Sequence, residues 1–192
     1  MARSKEFEEN VVLDKAMRLF WEQGYEKTSL SDLVEHMGIH RRSLYDTFGD
    51  KHTLFLKVMD RFGEKINAEL AAGVRRSNTA TEALQFIFSF MIDGQADAPS
   101  GCLMVNSAVE LAVRDSVVDT KLNKAFTIAE QQLKDIIIWG QRNDEFTTDY
   151  DAGELAEYLH NAWVGLRATA RMSVAKEKLY QIAHTSMKLL KK

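Results

Sequence analysis

The sequence predicts an all-helical protein, and three observations carry that expectation. A single proline, Pro99, and ten glycines leave long stretches in which helices can run unbroken. Apolar residues recur with a 3.6-residue period, and no series of alternating strands competes with them. Good caps stand at many of the right places, with Ser, Thr or Asp ahead of an apolar period and Gly behind it. About nine helices are expected.

Val12, Ala16, Leu19 and Phe20 mark one face of a first helix that Gly24 ends. Leu30, Leu33, Val34 and Met37 form a second, short helix, capped by Thr28 or Ser29 and terminated by Gly38. A third begins near Arg41; Leu44 and Phe48 point inward, leaving Arg42, Ser43, Asp46 and Thr47 outward. Asp50 can cap a long fourth helix from Lys51, carrying Leu54, Phe55, Val58, Met59, Phe62 and Ile66, with a break near "GVRRSNTAT". A fifth is expected from Thr79 to Gln95, a loop over 94–101, a sixth over "CLMVNSAVELAV", and a seventh from Ser116 to Gln141 behind Asp115. Asp151 and Glu154 have capping-box spacing and open an eighth helix running to Met172. A ninth covers 174–190, where Ala175 is a poor cap and fraying is expected.

Two short helices joined by a tight glycine-containing turn, the second exposing polar side chains, describe a helix-turn-helix. A helix fits the major groove, where side chains near its N-terminus meet base edges. Arg41 and Arg42 offer paired donors to guanine or phosphate, and Lys51 can reach the backbone just beyond. Thr28, Ser29 and the free N–H groups opening the second helix form a second phosphate site. Paired arginines on a helix are also a common solvated face, and the first 51 residues carry more acids than bases. Binding there requires the acids of the first two helices to turn away from the phosphates.

The run "FWEQGYEKTSLSDLVEHMGIHRRSLYDTFGDKHTLF" resembles the DNA-binding domain of the tetracycline-repressor (TetR) family, through Phe20, Gly24, Tyr25, Thr28, Gly38, Ile39, Leu44, Tyr45, Phe48 and Lys51. The resemblance covers roughly the first sixty residues; the remainder matches in length and helical plan. It implies phosphate contacts by Thr28, Tyr45 and Lys51, with His40, Arg41, Arg42 and Ser43 facing the groove. The family often has a small residue in place of Arg42 and an aromatic or histidine in place of Asp46. Asp46 can accept from a cytosine amino group or pair with Arg42 at i, i+4. The domains expected are 1–51, the helix-turn-helix, and 52–192, a helical effector-binding and dimerisation domain.

Hydrophobic residues at 45% and charged residues at 28% are a globular composition, and the net charge is -3. The lone Cys102 fits a reducing compartment, and "MARSKEFEEN" has no apolar signal core, so a cytoplasmic protein without a membrane segment is expected. No phosphate loop, His-Glu-x-x-His pair or second cysteine suggests an enzyme, cofactor or metal site, and the five histidines have no ligand spacing.

A lone reading head covers few base pairs, so a homodimer on a palindromic double-stranded operator is expected. One candidate interface stripe is Leu155, Leu159, Ala162, Leu166 and Thr169, with Gly165 and Ala170 allowing close approach; another is Leu179, Ile182, Ala183, Ser186 and Met187. Either stripe can equally be core, and the family's pairing through two C-terminal helices implies the interface. Phe86, Phe88, Phe90, Met91, Met104, Trp139, Tyr158 and Trp163 offer apolar lining for a small-molecule effector, with Asn106, His160 and Arg167 as polar groups. Cys102, after "PSG" at a helix start, is an alternative sensor of oxidants or electrophiles. The expected function is a ligand-responsive repressor; the other reading is a helical adaptor for a protein partner.

Overall fold

The computed structural model describes residues 8–94 and 97–192. The start "MARSKEF", with Arg3, Lys5 and Glu6 of the charge balance, and Gln95 at the expected end of the fifth helix lie outside the described residues. Within them the chain forms nine helices and no strand: α1 Glu9–Gln23, α2 Leu30–Met37, α3 Arg41–Phe48, α4 Lys51–Arg76, α5 Ala80–Asp93, α6 Leu103–Leu111, α7 Ser116–Arg142, α8 Ala152–Thr169 and α9 Lys176–Lys188. No helix among the described residues is long and apolar enough to cross a membrane.

The first three helices hold together because their few apolar residues converge. Phe20, Leu33, Met37, Leu44 and Phe48 are buried together with Phe55 and Val58 of α4. A helix of two turns is marginal in water, and burial of Leu44 and Phe48 is what stabilises α3. Leu103 and Leu111 of α6 and Val118 and Leu122 of α7 join the same core, so the N-terminal helices are packed onto the body. A second core joins α5, α7, α8 and α9 through Leu84, Ile87, Leu133, Ile137, Leu159 and Leu179. Ile66, midway along α4, packs against both cores.

Caps explain most of the boundaries. Asp50, Thr79, Asp115 and Asp151 each accept from backbone N–H groups in the first turn of the following helix. The Asp151 cap lacks the reciprocal half of the expected box: its side chain accepts from Gly153 and Glu154, and no bond returns from the Glu154 side chain. Ala175 makes no side-chain cap. The turn around it extends further than periodicity suggested, because Met172 N–H bonds Thr169 O and Val174 N–H bonds Met172 O. Helix α8 therefore ends at Thr169 and α9 starts at Lys176. Helix α6 likewise stops at Leu111, where the N–H groups of Arg114 and Asp115 both bond its carbonyl, leaving Val113 in solvent.

The start of α5 is held from a distance. The Glu145 carboxylate accepts from Ala80 N–H at 3.0 Å and Thr81 N–H at 2.9 Å. Burial pushes its pKa up, but those N–H groups outweigh burial and hold it below the ordinary value. Where α4 meets α5, Gly73 is buried, and a Cβ there would lie 1.9 Å from the Phe86 ring. The missing side chain of Gly73 is the space that Phe86 occupies.

Candidate nucleic-acid interface

The turn before α3 is set by Gly38, which adopts the left-handed conformation (φ 71°) that side chains disfavour. Its N–H and that of Ile39 both reach Val34 O, closing α2 and redirecting the chain. His40 then stands at the N-cap of α3 without a side-chain bond. Leu44 and Phe48 face the core; Arg41, Arg42, Tyr45 and Asp46 face solvent, with Ser43 half-buried between them. The Arg41 guanidinium sits 5.9 Å from the Tyr45 ring centroid, and Lys51 Nζ is 4.3 Å from that of Tyr25. Arg42 Nε lies 3.6 Å from Asp46 Oδ2, with the arginine side chain 87% exposed. That is the i, i+4 pair, weak and open to competition by a phosphate or base.

The acids of α1 are engaged elsewhere. Asp14 receives Arg61 Nε and Nη2 at 2.6 and 2.7 Å and Lys65 Nζ at 2.8 Å, all from α4. The Arg61 bonds, against some desolvation and with help from Lys65, hold its carboxyl below the ordinary carboxylate value. Glu9 pairs with Lys57 and Glu22 with Arg18. In α2, Asp32 accepts from Ser29 N–H at 2.9 Å while Ser29 Oγ accepts from Asp32 N–H at 3.1 Å, a full capping box. These pairings let a net-acidic segment present a basic face on α3.

Two expected phosphate contacts are corrected by the same geometry. Thr28 is 0% exposed and donates its hydroxyl to Gly24 O at 2.6 Å, so it fixes the turn between α1 and α2 rather than facing a ligand. Ser29 is exposed, but its oxygen accepts from Asp32 N–H and its own N–H is taken by the Asp32 carboxylate, so the capping box uses the groups a phosphate would need.

The reading head is tied to the body at several points. Glu110 of α6 accepts from Tyr25 N–H at 3.0 Å and Glu26 N–H at 2.8 Å. Arg171, just past α8, donates to the carbonyls of Trp21 and Glu22 at the end of α1. His52 Nε2 lies 2.7 Å from Asp115 Oδ2, joining the start of α4 to the cap of α7. The cap bond from Val118 N–H, and His52 after it, keep the Asp115 carboxyl below its usual value.

Behind this seam lie two adjoining cavities. The larger, about 70 Å³, is lined by Phe62, Ile66, Met104, Phe126, His160 and Trp163. The smaller, about 40 Å³, is lined by Trp21, Phe90, Met91, Cys102, Trp163 and Arg167. Burial lowers the His160 pKa although Glu130 Oε1 stands 3.1 Å from Nδ1. Of the expected pocket residues, Phe90, Met91, Met104, Trp163 and Arg167 come together here, with His160. The others do not: Trp139 lines a separate cleft of about 340 Å³ beside α4 and α5, Phe86 fills the gap at Gly73, Phe88 is core, Asn106 lines neither cavity, and Tyr158 is on the surface. Trp21, Phe62 and Phe126 also line the cavities; Phe62 reads as an ordinary core position on its own helix, and neither Trp21 nor Phe126 carries a sequence signal that sets it apart.

Residues 12–58 match the family model described as "Bacterial regulatory proteins, tetR family", and residues 80–187 match "Tetracyclin repressor-like, C-terminal domain". The chain belongs to the TetR family. Among TetR-family relatives, it is 34% identical over 190 residues to the HTH-type transcriptional repressor ComR of Escherichia coli, covering 97% of this chain and 90% of that one. It is 32% identical over 197 residues to the HTH-type transcriptional regulator YezE of Bacillus subtilis, covering 99% and 100%. A solved structure of a cysteine-substituted TetR-family regulator, CifR, with a 26-base-pair operator duplex superposes with a TM-score of 0.88 at 24% identity, covering 98% of this chain and 100% of that one, a likeness of fold. As a TetR-family member, the protein is a DNA-binding transcriptional regulator and not an enzyme.

The structure corrects which residues of α8 and α9 lie on the surface. Leu155, Leu159, Leu166, Leu179, Ala183 and Ser186 are buried in the protomer's own core and have no surface left to offer a partner. Ala162, Thr169, Ala170 and Met187 are half-buried, and Ile182 is exposed. The open face of α8 runs instead through Tyr158, Asn161, Gly165 and Ala168 to Met172 beyond its end, and that of α9 through Ile182, Thr185 and Leu189. Periodicity located both helices, but each has two apolar faces, and the more apolar one packs inward.

Proposed function

We propose that this regulator is a dimeric repressor: its two α3 helices read a palindromic operator, and a small-molecule effector held in the cavities behind the seam releases it. The observation that supports DNA reading most directly is the exposed face of Arg41, Arg42 and Tyr45 on α3, with Glu9 and Asp14 of α1 paired to α4 and Asp46 paired to Arg42 itself. The reading head is residues 1–51 and the effector and pairing domain 52–192. Effector action is a population shift, limited by the ligand's differential affinity for the DNA-competent and DNA-incompetent spacing of the heads.

The test is a titration of the purified protein against the DNA flanking its own gene, and against a random pool, at two salt concentrations. Specific binding that weakens by about 10³ to 10⁵ between roughly 50 and 200 mM salt is expected for a dimer making six to ten phosphate contacts. Absence of any selected sequence from the pool refutes the reading; a salt-insensitive protein complex in its place supports a helical adaptor.

A second mode of sensing is favoured by one observation: Cys102 lines both cavities, its thiol sharing the smaller one with the buried Arg167 guanidinium. The thiolate sulfur would add to the β-carbon of an α,β-unsaturated carbonyl, whose α-carbon takes a proton from solvent. Cys102→Ser is then expected to abolish operator release by such electrophiles; a full response in the variant removes this mode.

A further inference from the structure

Arg167 is 7% exposed, and among the described residues no carboxylate pairs with it. Its Nη1 donates to Met91 O at 2.5 Å, and the Cys102 thiol lines the same small cavity. A buried cation without an anion is costly unless something supplies the opposite charge. The same small cavity holds a second unmet demand. Trp21, 5% exposed, carries an Nε1–H that has no hydrogen-bond partner among the described residues. An indole nitrogen only donates, and a guanidinium only donates, so what both call for is an acceptor bearing negative charge.

Size and surroundings narrow the chemistry. The cavity that both residues line is about 40 Å³, room for a small anionic group. It shares Phe62, Ile66, Cys102 and Trp163 with the larger apolar cavity, where Met104 and Phe126 offer thioether and ring surface to a hydrocarbon body. We propose that the effector is an apolar organic carboxylate, its head held between Arg167 and Trp21 and its body lying toward Met104 and Phe126. This rests on the reading of the protein as an effector-responsive regulator. The placement also supplies a route to the DNA: Trp21 belongs to α1 of the reading head and Arg167 to α8 of the body, and Arg171, one turn beyond Arg167, already holds the Trp21 carbonyl. A carboxylate that draws on both donors alters the seam that positions α3.

The experiment uses the full chain and two matched pairs of probes, octanoate with octanamide and 3-phenylpropionate with its amide. Binding is read by tryptophan fluorescence, since Trp21 and Trp163 line the cavity, and in parallel by release of operator DNA. The carboxylates are expected to bind at least about tenfold more tightly than their amides. Arg167→Gln should erase that preference, and Trp21→Phe, which keeps the ring against Phe62, should reduce it by about threefold to tenfold. Retained operator affinity shows that a variant is folded, and if Arg167→Gln fails that check, Trp21→Phe carries the test. Carboxylates that bind no better than amides, including no binding by either up to on the order of 10 mM, overturn the proposal, as does a preference that survives Arg167→Gln or Trp21→Phe undiminished. Operator release by the amides alone would leave the effector-responsive regulator standing and remove the carboxylate; failure to bind any operator would remove the regulator reading, while fluorescence still decides the ligand class.

Discussion

Gly165→Arg is expected to turn the protein into a monomer and to lower its operator affinity by about 10² to 10⁴, the avidity lost when two linked reading heads become one. Gly165 sits within α8 on its open face, where a Cβ would meet nothing within 4 Å. Glycine inside a helix costs about 0.5–1 kcal/mol relative to alanine, and no packing inside the protomer requires it. In the proposed dimer, close approach of a second copy would require it, because small residues at 165 and 168 let two helices come near, with Tyr158, Met172, Ile182 and Leu189 around them. The protomer has room for the new side chain, so helix content and thermal unfolding should hold while sedimentation reports half the mass. A dimer that persists in Gly165→Arg and in Ala168→Arg places the pairing surface elsewhere.

The Arg41→Ala, Arg42→Ala double variant should lose operator binding by a comparable margin for a different reason. Each arginine that touches a base or phosphate is worth about 1–3 kcal/mol per head, and each lost phosphate contact lowers the salt slope by about one. Both side chains are exposed and make no contact that the fold depends on, so stability should stay within about 0.5 kcal/mol of the parent. Arg42 also frees Asp46 when removed, adding an unpaired negative charge to the reading face. Binding that keeps its affinity and its salt dependence in the variant would move the reading surface off α3.

Local rules are what made this fold legible. Gly38, Asp50, Asp115 and Asp151 act through their immediate neighbours, and the helices they bound lie where the sequence places them. Where the outcome depended on distant partners, the sequence was silent. Nothing near Glu145 says that it will cap α5, and nothing near Asp14 says that α4 will neutralise it. The apolar stripes of α8 and α9 illustrate the same limit: periodicity shows that a face is buried but not whether the neighbour is the same chain or another. Trp21 carries no mark of its own in the sequence and becomes a cavity wall only because Phe62 and Arg167 arrive from other helices.

The grip of Glu110 on the Tyr25 and Glu26 amides has a further consequence. Gly24 beside them has φ 87°, and a Cβ there would fall 2.9 Å from the same carboxylate, so the contact is tight on both sides. Neither amide belongs to a helix, and their protection from solvent hydrogen exchange comes from a residue of the body some 85 positions away. Their exchange rates therefore count how often the head lets go of the body, a clock for the opening motion carried by two backbone protons.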